Sequence, residues 1–286
     1  MTFVDRDFFT LRTPYFTIEG RSRAGHETYF RLKELGLALD IGRCPDLLLS
    51  VPHILVSHAH LDHAAGIAFY SGQRHLQGLD GGRIYVPEEA ADDFRALMKI
   101  HERLEGMRHE MEIVGMREGD VVRLGRTHEV RAHASTHRVP ARAWEVIEVR
   151  HHLKPEFLGM EGPEIARLRH EGVAIEEQFR VPLLFYTGDT DRGILESNAA
   201  LWHARVLMIE CSFIEDGHQG RAEKYRHIHF DDLLEVADRF ENELIVLTHF
   251  SRRYTHEEIR HGIGQRCPAV LRDRIRLGLP SEFQTL

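Results

Sequence analysis

The segment Ser57-His58-Ala59-His60-Leu61-Asp62-His63 holds three histidines and one aspartate directly after a short apolar stretch. Imidazole nitrogens and carboxylate oxygens are the usual protein ligands of zinc, and catalytic zinc sites leave one position open for water. On an extended chain, His58 and His60 point to the same side because side chains alternate with a period of two. Asp62 and His63, at the start of the next predicted helix, can face a second ion, so this one segment can serve two metals.

Further ligand-type residues follow apolar stretches later in the chain. The stretches at 183–187, 206–209 and 244–248 run into Asp189, Glu210 and His249, and a lone His137 follows another β-like segment. Layered α/β folds place their chemistry where strands end. Each of these residues is a weak signal alone, but together and in this order they predict one site built from separate strand ends.

The elements that must position these residues alternate along the chain, which predicts the α/β class. We expect strands near 15–18, 28–32, 37–42, 53–57, 83–86, 113, 121–122, 129–133, 144–149, 183–187, 206–209 and 244–248. We expect helices at about 64–70, 87–104, 161–171 and 231–240.

The order of motifs resembles the metallo-β-lactamase superfamily: HxHxDH, a lone histidine, Gly-Asp-Thr, and a late histidine after an apolar strand. Finer segments resemble ribonuclease Z, the tRNA 3′-end endonuclease family, in the short form found in plants. They are Asp40–Pro45, Leu153–Gly159, Phe185–Thr190, Ile209–Phe213 and Leu247–Tyr254. The resemblance covers essentially the whole chain and implies an αββα sandwich, with two mixed β-sheets flanked by helices, as a single domain over 1–286.

The resemblance also implies a set of metal ligands for two zinc ions per chain. One ion would be held by His58, His60 and His137, the other by Asp62, His63 and His249, and Asp189 would bridge them. Imidazole-rich sites with a bridging carboxylate suit zinc, but Mn²⁺ or Fe²⁺ also fit such sites. Asp62 would orient or deprotonate the attacking water.

A histidine upstream of the late ligand protonates the leaving 3′ oxygen in the family. His227 and His229 are both candidates, and His227 lies 22 positions before His249, which is the family's spacing. Imidazole suits this role because its pKa of about 6.5 lets it hold and release a proton near neutral pH. Glu210 would orient the catalytic histidine.

The stretch from 150 to 182 is irregular and is predicted to be a short inserted arm with one helix. Many bacterial members carry a longer arm that grips tRNA, but here only 52 positions separate His137 from Asp189. If this short arm binds tRNA, its basic residues are the candidates, together with one basic residue near the end of the chain: Arg150, Lys154, Arg167, Arg169 and Arg253.

The charge balance argues against a protein that coats nucleic acid nonspecifically. There are 37 Lys and Arg against 45 Asp and Glu, a net charge of −8, whereas such proteins are usually basic. The chain holds no apolar run of the ~18 residues that a membrane span needs, and Met1–Asp7 lacks the pattern of a signal peptide. We therefore expect a cytoplasmic protein without membrane contact, and the resemblance implies a homodimer.

Two enzymatic functions lead at this point. The first is a ribonuclease Z-type endonuclease that removes the 3′ trailer of pre-tRNA. The second, favoured by the short arm and the acidic charge, is a di-metal phosphodiesterase that acts on small or cyclic nucleotide diesters. Thioester or lactone hydrolysis needs similar ligands but no His227, and a non-catalytic binding protein would not need every ligand position filled.

Overall fold

The computed structural model describes residues 7–286, and in them fourteen strands form two seven-stranded sheets. In chain order the first sheet holds β1 Phe9–Arg12, β2 Thr17–Arg23, β3 Glu27–Leu32, β4 Leu37–Leu39, β5 His53–Leu55, β6 Arg83–Pro87 and β7 Glu112–Met116. The second sheet holds β8 Val121–Leu124, β9 His128–Ala134, β10 Arg142–Leu153, β11 Glu176–Tyr186, β12 Val206–Glu210, β13 Leu244–Thr248 and β14 Ile275–Leu277. Each sheet is mixed: β1–β4 and β8–β11 pair antiparallel, whereas β4–β7 and β11–β14 pair parallel.

Helices cover the outer face of each sheet, except for one that lies in the arm between β10 and β11. They are α1 Asp46–Leu49, α2 Leu61–Ala64, α3 Ile67–Leu76, α4 Glu88–Glu105, α5 Gly162–His170, α6 Ile194–Ser197, α7 Gln219–Tyr225, α8 Phe230–Leu234, α9 His256–Arg266 and α10 Ala269–Arg272. No helix within 7–286 combines the length and apolar character needed to cross a membrane. Met1–Asp7, from which a cytoplasmic location was expected, lies outside the described residues except for Asp7.

Alternating side chains on the central strands define the layers. In β12, Val206 and Met208 pack into the core between the sheets, while Leu207 and Ile209 pack against the outer helices. In β6, Tyr85 faces the inner core and its neighbours face the helices of the first sheet. Both faces of these strands are therefore buried, which is why their sequences read as continuous apolar runs. The predicted αββα sandwich of two mixed sheets is confirmed.

The structure differs from the predicted elements at the edges and in one helix. The edge strands β1 and β14 were not predicted, because four or three residues are too few to show a period. The helix expected over 231–240 stops after α8, since Val236 leaves helical backbone (φ −119°, ψ 18°) and a short 3-10 turn follows. This break lets Phe240 pack against Trp202, with ring centroids 5.0 Å apart.

The arm is a β-ribbon instead of a loop. Strands β10 and β11 pair continuously out to Leu153 and Glu176, and α5 lies in the connection between them. Strand β10 starts at Arg142, whose backbone N–H donates to the Ser57 carbonyl beside the histidine motif. Eleven steps of ~3.3 Å put the far end of β10 about 36 Å from that point.

A backbone contact at Gly42 fixes the histidine motif against the first sheet. The Gly42 N–H donates to the Thr28 carbonyl, and the Ile41 N–H donates to the His63 carbonyl. A Cβ at Gly42 would lie 1.8 Å from the Asp62 carbonyl oxygen. Only glycine lets the chain after β4 lie this close to the first turn of α2.

We expect Gly42→Ala to destabilise the fold, because the methyl group must displace the backbone of Asp62. Overpacking of this kind costs typically 1–3 kcal/mol, which a melting curve will detect. Gly264→Ala, in α9 with no atom near the added Cβ, is the matched control and should be neutral or stabilising. Equal melting temperatures for Gly42→Ala and the unsubstituted protein would contradict the close contact.

Candidate metal centre

The predicted ligands meet at one edge of the sandwich, between the two sheets. The loop after β5 is attached to the second sheet by a β-bridge between His58 and Ala141. Asp189 follows β11 by three residues, and His249 follows β13 directly. Because β11, β12 and β13 are parallel, their carboxyl ends open on the same edge. The residues His58, His63, Asp189 and His249 are at most 4% exposed.

Four side chains form a first cluster: His58, His60, His137 and Asp189. His60 Nδ1 lies 2.9 Å from His58 Nε2 and 3.4 Å from His137 Nε2. Asp189 Oδ2 lies 3.8 Å from His58 Nε2. His60 therefore presents Nδ1 to the cluster, whereas the other two histidines present Nε2.

Asp62, His63, His249 and Asp189 form a second cluster. His63 Nε2, His249 Nε2 and Asp189 Oδ1 lie 3.2–3.4 Å from one another. Asp62 Oδ2 lies 3.6 Å and 3.7 Å from the two imidazoles. A tetrahedral zinc with bonds of 2.0–2.1 Å separates its ligand atoms by roughly 3.3 Å, so these four atoms fit the corners of such a site. Asp189 turns one oxygen to each cluster, as a bridging carboxylate must.

The nitrogen that faces away from the centre is hydrogen-bonded in four of the five histidines. His58 Nδ1 contacts Ser57 Oγ (3.0 Å), His63 Nδ1 contacts Asp40 Oδ2 (2.7 Å), His137 Nδ1 contacts the Arg226 carbonyl (3.2 Å), and His249 Nδ1 contacts Ser212 Oγ (3.0 Å). Such contacts fix the tautomer with Nε2 unprotonated, and they orient the ring.

The electrostatics of both clusters suit a cation. Burial lowers the pKa of His58, His60 and His137, which keeps these imidazoles neutral. Burial alone would raise the pKa of Asp189, but the imidazoles of His249 and His63 outweigh it and hold that pKa well below its usual range. In the first cluster, neutral imidazoles beside an ionised carboxylate are donors that a divalent metal can use. In the second cluster, burial alone would lower the pKa of His63, but the Asp189 and Asp40 carboxylates outweigh burial and raise it well above its usual value, so a metal bound there would displace a proton from His63.

Asp40 belongs to the site although the sequence reasoning did not select it. It accepts hydrogen bonds from the Ser57 backbone (2.6 Å), the Ser57 hydroxyl (2.9 Å), the Tyr186 hydroxyl (2.5 Å) and His63 Nδ1 (2.7 Å). Asp40 follows β4 directly, so the same signal of a polar residue after an apolar strand could have found it. Tyr186 and Ser212 carry no such signal.

Strained backbone concentrates around the centre. Among residues 7–286, the non-glycine residues with positive φ are Asp40 (56°), Arg226 (56°) and His249 (59°). His249 is itself a predicted ligand, and Asp40 and Arg226 contact the predicted ligands His63 and His137. Non-glycine residues in this region cost of order 1–3 kcal/mol each and persist where the surroundings enforce them, often at functional sites.

His227 and His229 occupy different environments. His227 Nδ1 lies 2.7 Å from Glu210 Oε1, and the His227 ring faces the rings of His137 and His249 at centroid distances of 5.5 and 5.4 Å. His229 is buried and caps α8, where its Nδ1 accepts from the Asp231 N–H and its Nε2 contacts the Glu215 carbonyl. Only His227 borders the two clusters.

The arm cations lie far from the centre, and most of them are paired with acids. Arg150 pairs with Glu148 (2.7 Å), Arg167 with Glu171 (3.6 Å), and Arg169 with Glu176. Lys154 lies between β10 and α5. Arg253 is nearer: it is exposed and lines a groove of about 1020 Å³ together with Arg23, Arg252 and His256.

Comparisons with known proteins identify the family to which this fold belongs. Residues 42–250 match the family model described as "Beta-lactamase superfamily domain". The chain therefore belongs to the β-lactamase superfamily, and the predicted resemblance is confirmed.

Within the superfamily, the chain belongs to the tRNase Z family. It is 33% identical over 258 residues to tRNase Z TRZ1 of Arabidopsis thaliana, covering 89% of this chain and 92% of that one. It is 27% identical to a ribonuclease Z of Chlamydia trachomatis over 77% of each. The fold is similar to that of human tRNase Z, short form, with a TM-score of 0.57 and 16% identity, covering 86% and 93% of the two chains.

The shared position of Asp189 generates a prediction about metal content. Asp189→Ala removes a ligand from both clusters, whereas His137→Ala removes a ligand from the first cluster only. Metal analysis should therefore find close to two divalent ions in the unsubstituted protein, at least one in His137→Ala, and fewer in Asp189→Ala. Equal occupancy in the two variants would mean that Asp189 is not the bridge.

Proposed function

We propose that this chain is a zinc-dependent endoribonuclease of the ribonuclease Z type, which removes the 3′ trailer of pre-tRNA. The observation that carries the proposal is the pair of ligand clusters that share Asp189, with His227 and Glu210 on their border. The tRNase Z relatives support the substrate class. A metal pair alone would serve many hydrolases, but a half-buried histidine held by a buried acid beside it suits a leaving group that needs a proton.

Two zinc ions fit the donor set of five imidazoles and two carboxylates, and Mn²⁺ or Fe²⁺ are compatible with the same residues. Bound there, such ions would lower the pKa of an attacking water and offset the charge that develops on the phosphate. His58, His60 and His137 would hold one ion, Asp62, His63 and His249 the other, and Asp189 both.

Asp62 is suited to orient the attacking water. Burial alone would raise the pKa of Asp62, but the neighbouring His249 and His63 outweigh burial and lower the pKa to about 2. The carboxylate is therefore ionised at neutral pH and can accept a hydrogen bond. Oδ2 faces the two imidazoles, so the remaining oxygen is the one available to water.

His227 is suited to protonate the leaving 3′ oxygen. Burial alone would lower its pKa, but the Glu210 carboxylate outweighs burial and raises the pKa of His227 to about 9. Its Nδ1 donates to Glu210, which leaves Nε2–H for the leaving oxygen. Glu210 is itself held by the Thr190 N–H (2.8 Å) and the Ser212 hydroxyl (2.6 Å), so it positions His227 and is not needed as a metal ligand.

The second candidate, a di-metal phosphodiesterase for small or cyclic nucleotide diesters, is favoured by one observation. Three of the four arm cations are already neutralised by nearby acids, which leaves the arm little attraction for tRNA phosphates. Phosphate contacts normally supply most of the affinity for nucleic acid.

The homodimer belongs to the same proposal. Exposed apolar side chains lie on α3 (Phe69, Leu76) and on α4 (Leu97, Ile100, Leu104). The three on α4 share one face by their helical spacing, and both helices connect parallel strands on the same side of the first sheet. A second copy of the chain would cover this face. The cytoplasmic location stays a prediction.

Mapping of the 3′ end of a pre-tRNA after incubation with the zinc-loaded protein tests the function. We expect a cut next to the acceptor stem that leaves a 3′ hydroxyl on the tRNA. Hydrolysis of small phosphodiesters without any cut in pre-tRNA would put the second candidate in first place.

The position of His227 generates a separate prediction. His227→Ala should keep its metals and its melting temperature but slow pre-tRNA cleavage by the ~10²–10⁴-fold typical of a lost general acid. The loss should be much smaller on a nitrophenyl phosphodiester, whose leaving group needs no proton. His229→Ala should mainly lower stability, by about 1 kcal/mol for a lost cap. A large kinetic loss in His229→Ala, with a small one in His227→Ala, would reverse the assignment.

A further inference from the structure

A small cleft opens directly beside the two clusters. It has a volume of about 170 Å³ and is lined by Ala24, His60, His137, Arg138, Ser212, Phe213, Tyr225, His227 and Ser251. Three of these residues belong to the proposed catalytic machinery, so a molecule in this cleft is adjacent to the reacting phosphate. The cleft is smaller than the ~300 Å³ of typical ligand pockets, which suits one planar ring system.

The outer wall of the cleft is aromatic and basic. Tyr225, the last residue of α7, is 39% exposed. The Arg138 guanidinium lies 5.8 Å from the centre of the Tyr225 ring, and Lys224 Nζ lies 5.5 Å from it. Both cations are exposed, and neither makes an ion pair with an acid in the part of the chain that the structure describes. They differ in this from Arg150, Arg167 and Arg169 of the arm.

An exposed aromatic ring between unpaired cations is a typical surface for single-stranded nucleic acid. Bases stack on aromatic side chains and on guanidinium planes, while the cations neutralise neighbouring phosphates. A surface tyrosine near an arginine is common by itself. What distinguishes Tyr225 is that its cleft continues into His137 and His227.

We propose that this cleft is a nucleoside subsite, in which the base of the nucleotide that carries the leaving 3′ oxygen stacks on Tyr225. Arg138 and Lys224 bind the phosphates on either side of that nucleotide. The side of the cut follows from His227, which protonates the leaving oxygen and lines the same cleft. This assignment rests on the proposed function, and it supplies the local basic patch that an acidic chain needs in order to bind RNA.

Binding of adenosine 3′,5′-bisphosphate, a nucleotide with a phosphate on either side of its nucleoside, to the zinc-loaded protein tests the subsite without relying on catalysis. Calorimetric titrations compare this nucleotide with inorganic phosphate for the unsubstituted protein and for Tyr225→Ala. Loss of a base–aromatic stack weakens binding by roughly 5- to 150-fold, so we expect the nucleotide Kd to rise about tenfold or more. The phosphate Kd should stay within about twofold, since phosphate does not reach the ring.

Three further variants complete the design. Tyr225→Phe keeps the ring and should bind the nucleotide normally. Phe179→Ala removes an equally exposed aromatic ring, 39% exposed and on the arm, and should change nothing. Arg138→Gln, at an exposed position, should weaken nucleotide binding and flatten its salt dependence, because one phosphate contact and its released counterions are lost.

The proposal is wrong if the nucleotide binds no tighter than phosphate, or if Tyr225→Ala weakens both ligands equally. Mapping of pre-tRNA 3′ ends with the same proteins separates this failure from that of the proposed function. Correct cleavage by both the unsubstituted protein and Tyr225→Ala, with equal kcat/KM, would remove the subsite and keep the function. Selective nucleotide binding without pre-tRNA cleavage would keep the subsite and remove the function.

Discussion

The buried carboxylate of Asp189 is the constraint on which the rest of the site depends. An ionised carboxylate that is 4% exposed is costly unless positive charge or hydrogen-bond donors surround it. The two sheets surround it with predicted metal ligands from three other parts of the chain, 58–63, 137 and 249, and the ions that these ligands would hold supply the positive charge. Removing any one part would leave a buried charge uncompensated, which explains why the catalytic edge joins both sheets and does not belong to either one.

Two matched hydrogen-bond chains brace the centre from opposite sides. His58 donates to the Ser57 hydroxyl, which donates to Asp40 on the first sheet. His249 donates to the Ser212 hydroxyl, which donates to Glu210 on the second sheet. In each series of hydrogen bonds, a hydroxyl group connects a predicted ligand to a buried carboxylate and so fixes the orientation of that ligand. Because Glu210 also holds His227, the same acid links metal geometry to the proton donor.

The sequence predicted the layers, and it selected the residues that the structure brings together at the site, because both depend on local patterns. Apolar strands ending in His, Asp or Glu are visible without any tertiary information. Asp40 carries the same local signal, but its role in the site depends on Tyr186 and His63, which are distant in sequence. The sequence of the arm predicts a loop because its strands carry charged and polar residues on both faces. Hydrogen bonds across the ribbon, such as the one between His152 and Glu177 (2.5 Å), replace the apolar alternation that marks a strand.

The ribbon structure of the arm fixes the distance between its tip and the metal centre. The tip of a flexible loop of the same length would sample many positions. In an antiparallel ribbon, the number of residues in each strand sets the distance between the tip and the metal centre. Two residues added to each strand would move the tip outward by about 7 Å and leave every side chain on the same face of the ribbon. One residue added to each strand would move the side chains beyond it to the opposite face. A change of arm length by an odd number of residues in each strand therefore also changes which charged side chains lie on each face of the arm.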